Sequence, residues 1–187
     1  MEVELKARVA DPGAVATRLG DFATHVRDFD KHDAYWHGPE WRLNRGTKGF
    51  RLRSEDGHTT ISFKNRNSEG GMEISREKEF EVSDIEVFCE FAERLGCEPF
   101  YLKLKRGQRW EFRSGSPHSI ALELTEVEGL GWFLEIEARI AEDDPTAVAL
   151  AQGEIRGLLD RAGIEESAIE ARYYSELLLA AGRIAGS

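Results

Sequence analysis

Run after run of this sequence alternates apolar and ionised residues with a period of two, and few folds accept that pattern. Residues two apart in a strand share a face. Val3, Leu5, Ala7 and Val9 therefore oppose Glu2, Glu4, Lys6 and Arg8. Phe50 and Leu52 oppose Arg51 and Arg53, and Ile61 and Phe63 oppose Ser62, Lys64 and Arg66. Ile74, Phe80 and Val82 oppose Glu77, Glu79 and Glu81, while Leu102, Leu104, Trp110 and Phe112 oppose Lys103, Lys105 and Arg109. Ile120, Leu122 and Leu124 oppose Glu123 and Thr125, and Trp132, Leu134, Ile136 and Ala138 oppose Glu135, Glu137 and Arg139. With the run over residues 29–36 this makes about eight strands, the number that suits a small closed barrel.

Turn chemistry makes the neighbours antiparallel. Asp56-Gly57, Ser68-Glu69-Gly70-Gly71, Ser114-Gly115-Ser116-Pro117 and Gly129-Leu130-Gly131 are too short for crossover connections. Helices punctuate the meander. Asp11-Pro12 opens one reaching about Leu19, and Ser83 with Glu86 reads as a capping box for a helix that stops at Gly96. Asp144-Pro145 opens a third, and Ser167 with Glu170 a fourth that runs through Tyr173, Tyr174 and Leu177 to about Ala180. No repeat or linker divides the chain. The expectation is one α+β domain over residues 1–187, a closed antiparallel β-barrel with flanking helices, those over about 145–182 packing on it.

Alternation has an ordinary explanation, a half-buried sheet with one solvated face. Two details argue for another. The polar face is almost purely ionic, with few threonines, and the amphipathic helices need an apolar partner. If they cover the outside of a curled sheet, the charges line its inside. Unpaired ions in such a lumen would each cost several kcal/mol, so the lumen calls for a charged ligand. Arg51, Arg53, Lys64, Lys103, Lys105 and Arg109 can grip phosphate oxygens. Glu2, Glu4, Glu135 and Glu137 offer hard oxygens suited to Mg2+ or Mn2+.

The formal charge of −10 argues against a nucleic acid polymer or an anionic membrane as partner, and leaves a small anion open. No apolar run approaches a membrane span, the N-terminus has no secretory pattern, and Cys89 and Cys97 form no disulfide framework, so the cytoplasm is the expected compartment. His25, His32, His37, His58 and His118 show no zinc spacing. No Gly-x-Ser-x-Gly elbow suggests covalent catalysis, and Gly129-x-Gly131 reads as a turn. The stretch Trp36–Trp41 could be a lid over a tunnel mouth or a packed loop. Tyr173 and Tyr174 read as core.

At these residues the sequence resembles the CYTH superfamily, or triphosphate tunnel metalloenzymes. Glu2-Val3-Glu4-Leu5-Lys6 matches the ExExK signature. Asp33-Ala34-Tyr35 resembles its D-x-Y strand, Phe50-Arg51-Leu52-Arg53 its paired-arginine strand, and Phe63-Lys64 the lysine strand that follows. Arg76-Glu77-Lys78-Glu79 resembles the R-E-x-E strand, and Lys103 to Arg109 the later basic strand. The run Glu126 to Glu137 and the segment Arg172 to Leu178 look like class IV adenylate cyclase-like members.

The resemblance implies a tunnel holding a triphosphate (ATP, tripolyphosphate or thiamine triphosphate) with one or two divalent metals, Mg2+ or Mn2+, and a homodimer is compatible with it. The implied phosphate set is Lys6, Arg51, Arg53, Lys64, Lys103, Lys105 and Arg109, with Arg106 competing for the last strand. The implied metal set is Glu2, Glu4, Glu123, Glu135 and Glu137, and the implied catalytic set Lys6, Glu77 and Glu79. Thr125 stands where the family usually carries an aspartate, and Glu123, two residues earlier on the same face, is the substitute. The chemistry implied first is cyclisation of ATP to cyclic AMP and pyrophosphate. Triphosphate hydrolysis is the alternative, and a non-catalytic polyphosphate-binding module the third reading.

Overall fold

A computed structural model of the chain describes residues 1–38, 49–113, 119–141 and 144–184, the side chains of 66 and 67 excepted. Eight strands follow in chain order: β1 (Glu2–Arg8), β2 (Thr24–His37), β3 (Phe50–Glu55), β4 (His58–Glu69), β5 (Met72–Glu81), β6 (Glu98–Phe112), β7 (Ser119–Val127) and β8 (Gly131–Arg139). They close into an antiparallel barrel in the order β1-β5-β4-β3-β2-β6-β7-β8, in which β1 pairs with both β5 and β8. The β3–β4 hairpin turns at Asp56 and Gly57, both at positive φ (51° and 79°), the twist a two-residue hairpin requires. The expected turn at Ser114–Pro117 and part of the Trp36–Trp41 stretch lie outside the described residues.

Alternation sends the apolar residues of β1, β7 and β8 outward, where helices cover them. α1 (Pro12–Gly20) contributes Val15 and Leu19, and α3 (Pro145–Arg161) contributes Ala151, Ile155, Leu158 and Leu159. These pack with Val3, Leu5, Leu122, Leu124, Leu134 and Ile136 in one core cluster whose members are at most 9% exposed. At about 25 cal/mol per Å2 of buried apolar surface this layer is the main stabilising element. The core thus lies between barrel and helices. It is not in the barrel's interior.

Two helix starts differ from the sequence expectation. α2 (Ile85–Arg94) is capped by Asp84, whose carboxylate accepts from the Val87 amide, and not by Ser83. A carboxylate at this position also favours the positive end of the helix dipole. The last helix, α4, covers only Tyr174–Ala180 and is capped at Tyr173, with the Glu176 side chain accepting from the Tyr173 amide at 2.6 Å. Ser167 lies in a separate 3-10 turn, Glu166–Ala168. The Ser167–Glu170 cap does not form because Glu170 instead binds Arg8 and Arg172. Around α2 the outer face stays open: Val87, Phe91 and Leu95 are 62%, 56% and 62% exposed.

Candidate functional site

The barrel encloses a cavity of about 290 Å3 whose walls are ionic. Apart from Ala121 and four tyrosines, every residue lining it is charged or carries a hydroxyl. Strand register sets the levels. On the β2–β3–β6 wall, Asp33 is the cross-strand partner of both Arg53 and Lys103. Arg53 donates to it in a fork at 2.7 and 2.9 Å, and Lys103 lies at 3.2 Å. Asp33 is fully buried, which alone would raise its pKa. Lys103 and Arg53 overrule burial and hold it well below the ordinary carboxylate range. Lys103 also donates to the Tyr35 hydroxyl at 2.8 Å, and Tyr35 stacks on Tyr101 with ring centres 4.4 Å apart.

On the β3–β4–β5 wall, Arg51 and Lys64 share Glu77, each at 2.8 Å. Burial would raise the Glu77 carboxyl, but the two cations pull it down to about 2. Glu79 is more exposed and lies 3.5 Å from Arg51. Glu2 accepts from Lys64 at 3.0 Å and from Ser75 at 3.4 Å. It is not among the cavity-lining residues.

The β5–β1–β8 wall is different. Glu4 on β1 is the direct cross-strand partner of Glu73 on β5 and Glu137 on β8, so three acids stand abreast. Like charges directly opposite one another are destabilising. Burial first, then Glu135, Glu73 and Glu137, push the Glu4 carboxyl up to about 7, with Lys64 only partly opposing them. Among the described residues, no three carboxylate, imidazole or thiol groups are gathered tightly enough to ligate an ion as they stand. The donors are nonetheless of the hard-oxygen type that Mg2+ and Mn2+ prefer, and their mutual repulsion is what a divalent cation would relieve.

Glu135 stands one level along β8 and accepts from Lys105 and from the Tyr174 hydroxyl. Lys105 outweighs burial and keeps Glu135 ionised, at about 2, while burial and Glu135 raise Tyr174 well above its ordinary value. Lys6, the cross-strand partner of Glu135, donates to the Arg172 carbonyl at 2.6 Å and lies 4.4 Å from the centre of the Tyr174 ring. Burial lowers its amine pKa. On β7, Glu123 accepts from Lys31 and, at 2.9 Å, from Arg109. Thr125 is fully buried and donates to the Arg106 carbonyl. The strands approach closely here because residue 107 is glycine: a Cβ there would meet the Leu124 carbonyl oxygen at 2.1 Å. Arg106 points outward to Glu126, which leaves Lys103, Lys105 and Arg109 as the lumenal cations of β6.

Sequence reasoning missed Lys31, Asp33, Tyr35 and Tyr174 as site residues. The first three share one parity on β2, so the face test applied to that strand would have found them. Tyr174 carries no such signal, because it enters the lumen from a helix.

The CYTH domain family model matches residues 1–174. A Methanocaldococcus jannaschii protein provisionally named an adenylate cyclase, MJ0240, is 24% identical over 180 residues, covering 95% of this chain and 98% of that protein. The solved structure of the PH1819 protein from Pyrococcus horikoshii OT3 aligns with a TM-score of 0.82 at 25% identity, over 96% of this chain and 99% of that one. A Hippeastrum protein, HpAC1, described as having a dominant triphosphatase activity, shares the fold at a TM-score of 0.64 and 18% identity, over 99% and 98% of the two chains.

Proposed function

This chain belongs to the CYTH domain family, and on that premise we propose that it is a divalent-metal-dependent enzyme that takes a small-molecule triphosphate into its barrel. The favoured chemistry is that of a class IV adenylate cyclase: the ribose 3′-hydroxyl of ATP attacks the α-phosphorus, the bond to the bridging oxygen breaks, and pyrophosphate leaves. The provisional name of the Methanocaldococcus jannaschii relative supports this branch. One observation carries the reading. Arg51, Arg53, Lys64, Lys103 and Lys105 converge on one lumen in which half-buried Glu4 is crowded by other acids. A polyanion and a divalent cation together satisfy both walls.

Mg2+ or Mn2+ on Glu4 and Glu137, with Glu135 adjacent, would supply charge stabilisation at the phosphoryl oxygens. The remaining work falls to the chain. Arg51 and Arg53 offer paired donors to phosphate oxygens, and Lys64, Lys103 and Lys105 act as point charges. Glu77 holds Arg51 and Lys64 in place, and at about 2 it stays ionised throughout. Glu79 is a second counter-ion for Arg51. Lys6, whose amine is lowered by burial, takes the proton of the attacking hydroxyl.

Hydrolysis is the second reading, favoured by the scarcity of apolar lining, because an ionic cage grips the phosphate chain whatever is esterified to it. The deciding experiment incubates the protein with ATP, tripolyphosphate or thiamine triphosphate, plus Mg2+ or Mn2+, and separates the products. Cyclic AMP with pyrophosphate supports the cyclase. Orthophosphate from several triphosphates replaces it with a hydrolase. Tight binding without turnover leaves a binding module and ends the enzymatic reading.

A further inference from the structure

Glu123 on β7 is the cross-strand partner of Glu135 on β8, so a second pair of opposed acids faces the lumen, as Glu4 and Glu137 do. The two pairs are completed differently. Lys31 Nζ lies 2.6 and 2.7 Å from the two Glu123 oxygens. Arg109 reaches Oε1 at 2.9 Å, and Lys105, the cross-strand partner of Lys31, lies 3.7 Å from Oε2. Lys31 is 3% exposed and Lys105 4%. A buried ammonium bridging both oxygens of one carboxylate fills the place a small cation takes on a bidentate carboxylate. The opposed acids Glu123 and Glu135 thus meet three cations, Lys31, Lys105 and Arg109, and this excess repels a further cation, whereas without Lys31 the charges balance. The next inward residue of β7, Thr125, spends its hydroxyl on the Arg106 carbonyl and adds no charged ligand.

We propose that the Lys31 ammonium is a built-in replacement for a metal ion at Glu123, so that the lumen takes a divalent cation only on its Glu4–Glu137 side and presents the Glu123 side to phosphate. This rests on the metal-dependent reading above and settles what that reading leaves open, the number of metals. The very low carboxyl pKa of Glu123, set by Lys105 and Lys31 against burial, agrees with it.

The test titrates Mn2+ alone into the natural protein and into Lys31→Gln, Glu123→Gln and Lys31→Gln/Glu123→Gln, following free Mn2+ by electron paramagnetic resonance. The natural protein and Glu123→Gln should each bind a single equivalent. Lys31→Gln should gain a second site at least about tenfold tighter than any residual binding in the natural protein, because a carboxylate ligand is released. The double substitution should lose that second site. Circular dichroism melts check folding, and the Glu123→Gln comparison stays decisive even if Lys31→Gln does not fold. Two equivalents on the natural protein, one of them lost in Glu123→Gln, would overturn the inference. So would a single equivalent on all four proteins, which would leave the metal-dependent reading standing. No Mn2+ on any of them would remove both.

Discussion

On the β5–β1–β8 side of the lumen, Glu73, Glu4 and Glu137 stand on adjacent strands at one level, and Glu4 is pushed up to about 7. On the β2–β3–β6 side, Asp33 stands between Arg53 and Lys103 and is held far below its ordinary value. Both are inward carboxylates of a barrel strand, Glu4 half-buried on one wall and Asp33 fully buried on the other. What separates them is the residue brought opposite by strand register. An acid facing cations is held ionised as their counter-ion. An acid facing acids is pushed toward its protonated form, and under the proposed function it is the one that would take the cation.

Neutralising each carboxylate should therefore have opposite consequences. The largest expected effect is that of Asp33→Asn, which strips buried Lys103 and half-buried Arg53 of their counter-ion and should destabilise by about 3–5 kcal/mol. Urea unfolding with an unchanged m-value would measure it. A loss under 1 kcal/mol would mean that the two walls do not differ as described.

Glu4 should act with the other sign. Its folded pKa of about 7 lies above the ordinary carboxylate value of 4.5, so the folded state binds more protons than the unfolded state between these limits. Metal-free stability should then fall as pH rises from about 4.5 to 7, by up to about 3 kcal/mol at 1.36 kcal/mol per unit. Glu77 and Glu135 act below this window, between about 2 and 4.5 and with the opposite sign, and Lys31 acts above it, from about 8 upward. Glu4→Gln should flatten the slope, and Mn2+ should restore the lost stability in the natural protein alone. A slope that is the same in both proteins would refute the assignment.

The smallest expected effect sharpens the comparison at the boundary between the walls. Tyr174→Phe removes a donor to ionised Glu135, a bond to a charged group worth about 1.5–3 kcal/mol. Because Lys105 still holds the other oxygen, the loss should fall at the lower end of that range in chemical denaturation. A value near zero would show that α4 contributes nothing to the orientation of Glu135.

Much of this was legible in the chain itself. The period-two alternation of β1, β3, β4, β6 and β8 already placed Glu4, Lys6, Arg51, Arg53, Lys64, Lys103, Lys105 and Glu135 on one face. The short turns made the neighbours antiparallel, and the Asp11 and Asp144 caps were readable from local spacing. Those are local rules, acting over a few residues. Other features were not legible. Glu2 and Glu123 read as metal donors like the rest, yet each is paired with a lysine far off in sequence, Lys64 and Lys31. Tyr174 reaches Glu135 across 39 residues, and the Lys6 amine meets the Arg172 carbonyl across 166.

The sequence alone determined which residues alternate, where the chain turns and which side chains carry charge, since steric preference and pleat geometry act between near neighbours. Only the closed barrel decided which charge each acid meets. Coulomb energy depends on distance through space, and closure sets the distances between strands that the chain keeps far apart.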